Sequence, residues 1–275
     1  MVKIAVFQST SGIDPTANAE RLVSAVGEAA RDGAAMLFTP EMSGLLDRDS
    51  QRAAKAIQAE EQTGALAACC DAAREHGIWV HLGSLAVLTE EGQVANRAFV
   101  IDAQGEVRAR YDKMHMFDVD LPTGESWRES SVYRPGTEAV IVKGTPVGTL
   151  GLTICYDLRF PALFAQLAEA GADVIAVPAA FTVPTGKAHW EVLLRARAIE
   201  AGLFVVAAAQ SGHHEDGRNT YGHSLVVDPW GEVLLDAGEG TKLATAEIDL
   251  SRITDVRARV PALKHRRSID QVTVQ

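Results

Sequence analysis

The chain is poor in cysteine: three residues in 275, Cys69, Cys70 and Cys155. An odd number without framework spacing excludes a disulfide-stapled fold and suits free thiols in a reducing cytoplasm. Basic blocks are missing too. Against 26 Lys and Arg stand 36 Asp and Glu, a formal net charge of −10, and the cations form no stripe, so no nucleic-acid partner is expected. No stretch approaches the roughly 18 uninterrupted apolar residues that mark a membrane-crossing helix. The opening "MVKIAVFQST" has no small-residue cleavage site of the signal-peptide kind. Nothing linker-like, repeated or of low complexity divides the sequence, and one domain over residues 1–275 is expected.

What is present is an alternation. Short apolar, β-branched segments at 2–8, 34–40, 78–87, 96–102, 147–154, 173–181, 203–210 and 242–248 read as strands, and 106–113 as a strand-like run. Helical spacing marks 16–32, about 51–76, 161–171, 187–201 and a short stretch from 250. Residues 221–238 read as a hairpin turning at Asp228-Pro229-Trp230-Gly231. Strands separated by helices favour layered α/β packing, with mixed sheets once hairpins join them. Residues 114–137, punctuated by Pro122, Gly124, Pro135 and Gly136, read as a long loop, and a loop of that length inside a compact fold usually carries function.

Three chemically capable side chains fall at the ends of three such runs: Glu41 after "AMLFTP", Lys113 after "VRARYD" and Cys155 after "GLTI". Sites in α/β sheets collect outside the carboxyl ends of strands. A thiol just ahead of a helix, with an ammonium nearby, is expected to ionise more easily, and a neighbouring carboxylate can act as general base. Taken singly, each has an ordinary reading: a packed small side chain, a helix-terminal charge, a solvated lysine. Spacing alone also leaves a Cys–His pairing with His115, His189 or His223 open. Cys69-Cys70, adjacent on a helix, cannot face one metal and read as core packing. His213-His214 in "SGHHEDGR" read as a polar loop.

Together, "FTPEMSG", "YDKMHMFDVD…ES" and "LTICYDLRFP" resemble the three motifs of the nitrilase superfamily of carbon–nitrogen hydrolases, and the likeness runs from "KIAVFQ" to "PALKHRRSID". "HMFDVDLP", "AHWEVLLRARAIE" and "YGHSLVVDPWG" are most similar to its Nit branch, which includes deaminated-glutathione amidases and ω-amidases; "ARAIEAGLFVVAAAQSGHHE" leans toward the former. The resemblance implies a four-layer αββα sandwich, no metal or organic cofactor, and a homodimer or higher oligomer with the tail, about 262–275, at the interface. It implies hydrolysis of a small carboxylate-bearing amide through a thioester, with release of ammonia. Cys155 would be the nucleophile, Glu41 the base and Lys113 the oxyanion partner, aided by the Tyr156 N–H. Glu129 matches the family's second glutamate, with Glu125 as the other candidate. Arg159, four residues past the cysteine, would bind a substrate carboxylate or pair with Asp157 or a helix end; Arg128 stands in reserve. A catalytically silent binding protein is the reading from another class, and the intact trio argues against it.

Overall fold

A computed structural model describes residues 1–121, 124–269, 271, 273 and 274; Pro122 of the expected loop and residues 270, 272 and 275 of the expected tail lie outside them. One sheet runs in the order Lys242–Ile248, Val2–Gln8, Met36–Phe38, Trp79–Leu88, Val94–Ile101, Val107–Asp112. The other runs Val233–Asp236, Leu225–Val227, Phe204–Ala207, Val174–Ala176, Gly148–Leu152, Ile141–Thr145. In each, three central strands are parallel and the flanking ones antiparallel.

Side chains alternate across a strand, so each central strand of the first sheet supplies two cores. Ile4, Val6, Met36 and Phe38 pack against Leu150, Leu152, Val174 and Val206 of the facing sheet. Ala5, Phe7 and Leu37 point the other way, onto Leu22, Val26, Leu66 and Cys69 of helices Pro15–Arg31 and Gly64–His76. Helices Pro161–Glu169 and Val183–Ala201 cover the outer face of the second sheet with Leu163, Phe164, Trp190 and Leu194. The result is the αββα sandwich expected from the motifs.

Several expectations change in detail. The helix expected over 51–76 is broken into Ser50–Ala54, a two-residue strand at Gln58–Ala59, a 3₁₀ turn at Glu60–Gln62 and a helix from Gly64. The break is held by pairing of Gln58 and Ala59 with Val87 and Leu88, and by Glu60 bonding Arg97 at 2.8 Å and Arg110 at 2.5 Å. The long loop contains a hairpin, Asp118–Asp120 with Ser126–Arg128. Strand Ile141–Thr145 went unread in the sequence. The helix expected from 187 starts at Val183, because Pro184 is tolerated in a first turn. His213 ends the first strand of a hairpin, Ser211–His213 with Asn219–Tyr221, and His214 leads into its turn. His214 is buried, bonded to Ser11 O and Thr220 Oγ1.

Strand Trp79–Leu88 slips register between Leu82 and Leu85. At that bulge Gly83 lies where a Cβ would stand 2.0 Å from Thr39 O, 2.5 Å from Pro40 O and 2.6 Å from Pro178 Cβ. Only glycine lets the segment leading to Glu41 and the segment beside Cys155 approach this closely.

Two residues earlier, His81 packs by the Phe38 ring at 5.6 Å, and neither ring nitrogen has a partner among the described residues. Burial pushes its pKa from 6.5 down to about 3. The unfolded chain takes up this proton below about pH 6.5 and the folded one refuses it, so the contribution is intact above pH 6.5 and is lost as pH falls toward 3. Urea titrations are expected to show wild type losing about 2 kcal/mol more than His81→Leu between pH 7 and pH 5.

Candidate active site

Glu41, Lys113 and Cys155 arrive from three segments and meet. Glu41 sits in a turn whose next residue, Met42, has φ +56° and donates its N–H to Ser84 Oγ at 2.9 Å. Lys113 follows strand Val107–Asp112 and is held at both backbone ends, its N–H donating to Asn96 O at 2.9 Å and its carbonyl accepting from Gly136 N–H at 2.8 Å. Cys155 opens a 3₁₀ turn with φ +50°, a conformation L residues rarely adopt, and its N–H donates to Pro178 O at 2.8 Å.

The Lys113 Nζ donates to Glu41 Oε1 at 2.9 Å and to Glu129 Oε1 and Oε2 at 2.9 and 2.8 Å. Glu129, in the turn Glu129–Ser131, also accepts the Phe117 N–H at 2.7 Å. Glu41 Oε2 accepts the Ala180 N–H at 2.9 Å, so one carboxylate ties the ends of both sheets together. Burial alone would push Lys113 down, but the carboxylates of Glu129 and Glu41 overcome it and hold the ammonium well above its ordinary value. Cys155 moves the opposite way from the expectation of easy ionisation. Burial and then the Glu41 carboxylate push its thiol well up, beyond what Lys113 draws down. Cys155 and Glu41 line the same cavity, and the group at rest is a thiol beside a carboxylate.

Asp157, two residues on and fully buried, fixes this turn. Its oxygens accept Tyr111 OH at 2.6 Å, Ile154 N–H at 2.9 Å, His115 N–H at 3.1 Å, and bond His115 Nδ1 at 2.7 Å. With Asp157 so occupied, the Asp157–Arg159 pairing considered from the sequence is not formed. Arg159 is not among the residues lining the cavity; its Cζ lies 5.8 Å over Tyr156 and 5.6 Å over Phe181, and Nη2 is 3.3 Å from His189 Nδ1. The Tyr156 ring packs edge-on against Phe117 and Phe160, and its N–H has no partner among the described residues. Arg128 lies on the cavity wall but is bonded to both oxygens of Asp120 at 2.9 Å. Glu125 stands apart from Lys113, on the wall of an outer chamber.

Two residues escaped the sequence reading. Asn96 Nδ2 donates to Glu41 Oε1 at 3.0 Å and Glu129 Oε1 at 3.3 Å, bridging the atoms that Lys113 holds. Gln210 Nε2 donates to Glu41 O at 2.9 Å. Each is an amide side chain within or just past a largely apolar strand, "VANRAFVI" and "VVAAAQ", which was the available signal. The cluster floors a cavity of about 360 Å³, within the range that takes a small molecule. Among the described residues no group of three or more His, Cys, Asp or Glu is arranged to hold a metal ion, and no helix is long and apolar enough to cross a membrane.

A sandwich of this kind, with a cysteine, a lysine and glutamates flooring one cavity, is that of a hydrolase of carbon–nitrogen bonds. The chain belongs to the carbon–nitrogen hydrolase family, whose profile it matches over residues 3–258. Human deaminated glutathione amidase is 42% identical over 273 residues, 96% of this chain and 82% of its own. The crystal structure of the NitFhit protein of Caenorhabditis elegans superposes with a TM-score of 0.89 at 39% identity; the match covers 97% of this chain and 65% of that longer protein. A mutant amidase from Nesterenkonia, with the acetamide moiety of fluoroacetamide covalently added at its active-site cysteine, superposes with a TM-score of 0.80 at 27% identity, covering 97% of this chain and 94% of its own.

Removing the ammonium would leave the buried Glu41 and half-buried Glu129 carboxylates uncompensated. Lys113→Met is expected to cost about 3–5 kcal/mol in urea unfolding at neutral pH, far more than an exposed lysine would.

Proposed function

We propose that this chain is a cysteine amidase of the deaminated-glutathione type, folded as a single hydrolase domain. The observation that carries the reading is that Cys155 lines one cavity with Glu41, whose carboxylate is itself held by Lys113 and the Ala180 N–H. As Sγ bonds to the amide carbon, its proton passes to Glu41. The carbonyl oxygen becomes an oxyanion, facing the Lys113 ammonium and the unpartnered Tyr156 N–H. Collapse breaks the C–N bond, and Glu41 returns the proton to the leaving nitrogen. Glu41 then takes a proton from water, which opens the thioester and restores the thiol. Glu129 and Asn96 orient Lys113 and Glu41 and keep their distances fixed.

The relatives' names support the substrate. A primary amide would release ammonia, as the motif resemblance implied. Glutathione carries only peptide-type amides, so its deaminated form would yield 2-oxoglutarate and cysteinylglycine. Both products can be followed, with α-ketoglutaramate, aliphatic amides and N-carbamoyl acids as competitors. Cys155→Ala should abolish turnover, at least 10³-fold, with an unchanged melting temperature. Glu41→Gln should slow both acylation and deacylation. More than a few per cent of activity in Cys155→Ala would overturn the mechanism.

A homodimer in the cytoplasm completes the proposal. Three free thiols support the compartment. Val192 and Ile199, 67% and 52% exposed on helix Val183–Ala201, support pairing through the helices that follow Cys155. Arg266 reaches Glu169 of its own chain at 2.5 Å, which favours a tail, with Arg259 and Pro261, that runs along its own edge to that interface. Sedimentation at micromolar concentration is expected to give twice the 29.4 kDa chain mass; a monomer would count against it.

A further inference from the structure

Charge balance makes an anionic substrate a problem for this cavity. Its floor sets one ammonium against the carboxylates of Glu41 and Glu129. Arg159 is not among its lining residues, and Arg128 is occupied by Asp120. Past Trp127 the cavity meets an outer chamber of about 320 Å³, sharing with it Arg48, Trp127 and Arg218. Two guanidiniums lie over the Trp127 ring there, Arg48 Cζ at 5.8 Å and Arg218 Cζ at 5.1 Å. Arg48 makes no ion pair among the described residues. Arg218 is held to Asp216 through Nε alone at 2.7 Å, leaving its Nη groups without partners among the described residues. The buried Asp216 carboxylate also accepts the Arg218 N–H at 3.0 Å and the Arg48 N–H at 2.8 Å. One acidic side chain therefore positions both arginine segments.

We infer that this chamber binds the carboxylate of the departing half of an elongated amide, with Arg48 and Arg218 as its readers and Trp127 as the platform under the chain. The inference rests on the amide hydrolysis proposed above. During the thioester stage the acyl half stays on Cys155 in the inner cavity, so the half that departs must occupy the outward side. Gly124 and Glu125, which line the chamber and not the inner cavity, are exposed, which makes it that side. A guanidinium fork takes a carboxylate through two parallel hydrogen bonds, and an aromatic face beneath it fixes its plane. Glu125 on the same wall opposes the anion and trims its affinity.

The test compares kcat and KM on deaminated glutathione and on the same compound with its glycine carboxylate converted to the neutral carboxamide. Wild type should prefer the acid at least tenfold in kcat/KM, with KM carrying the difference, and the preference should shrink as salt screens the exposed Arg48. Arg48→Ala should bring the preference to within about twofold. Arg218→Lys, which keeps charge and loses the fork, should lower it in part, and Glu125→Gln should raise it. An acid preference unchanged in both arginine variants would overturn the chamber's role while leaving the chemistry at Cys155 standing. A wild-type enzyme that cleaves neither compound would overturn the amidase reading itself, and the inference with it.

Discussion

The ammonium of Lys113 is 2% exposed, and a charge buried that deeply must be paired or discharged. Pairing it with two carboxylates settles the protonation of everything around it. Burial, with the surplus negative charge of Lys113 and its two glutamates, keeps the Cys155 proton on sulfur. That inverts the usual picture of a cysteine activated by a nearby cation. In the proposed mechanism the cation holds the base in place, and the base is left to ionise the thiol during attack. Asn96 serves the same end without charge, bonding both glutamates where a second ammonium would have neutralised them.

The same cluster explains why the fold needs two sheets. Lys113 and Asn96 belong to the first sheet's edge, Glu41 to the end of its central strand, and Cys155 and Ala180 to segments leaving the second. The apolar layer between the sheets supplies the stability that offsets the cost of burying the charges at its rim. Asp157 spends its hydrogen-bonding capacity on holding the Cys155 turn against Tyr111 and His115, so the strained backbone at the cysteine has support from the sheet opposite.

Much of this was legible in the sequence, because periodicity and strand-end chemistry are local. The alternating core of "KIAVF", the helix opened at Asp14-Pro15, and the trio at three strand ends all follow from neighbours in the chain. What was not legible depends on distant partners. Glu60 breaks a helical pattern only because Arg97 and Arg110 wait on the sheet edge. The choice of Glu129 over Glu125 is made by which one Lys113 reaches. The direction of the Cys155 shift turns on how deeply the fold buries it, and Arg159, promising by spacing, is claimed by aromatic rings that spacing does not reveal. Gln210 and Asn96 look like isolated polar residues until the turn at Glu41 folds onto them.

Gly83 has no functional group, yet its missing side chain is the clearance through which the segment leading to Glu41 and the segment beside Cys155 come together. In a saturation screen scored by growth or turnover it would be as intolerant as the cysteine, and a genetic map of essential positions would not separate the two. A variant there would read as an active-site lesion although nothing at residue 83 meets the substrate. In this architecture the inventory of indispensable residues is longer than the inventory of reacting ones, and the excess is made of absences.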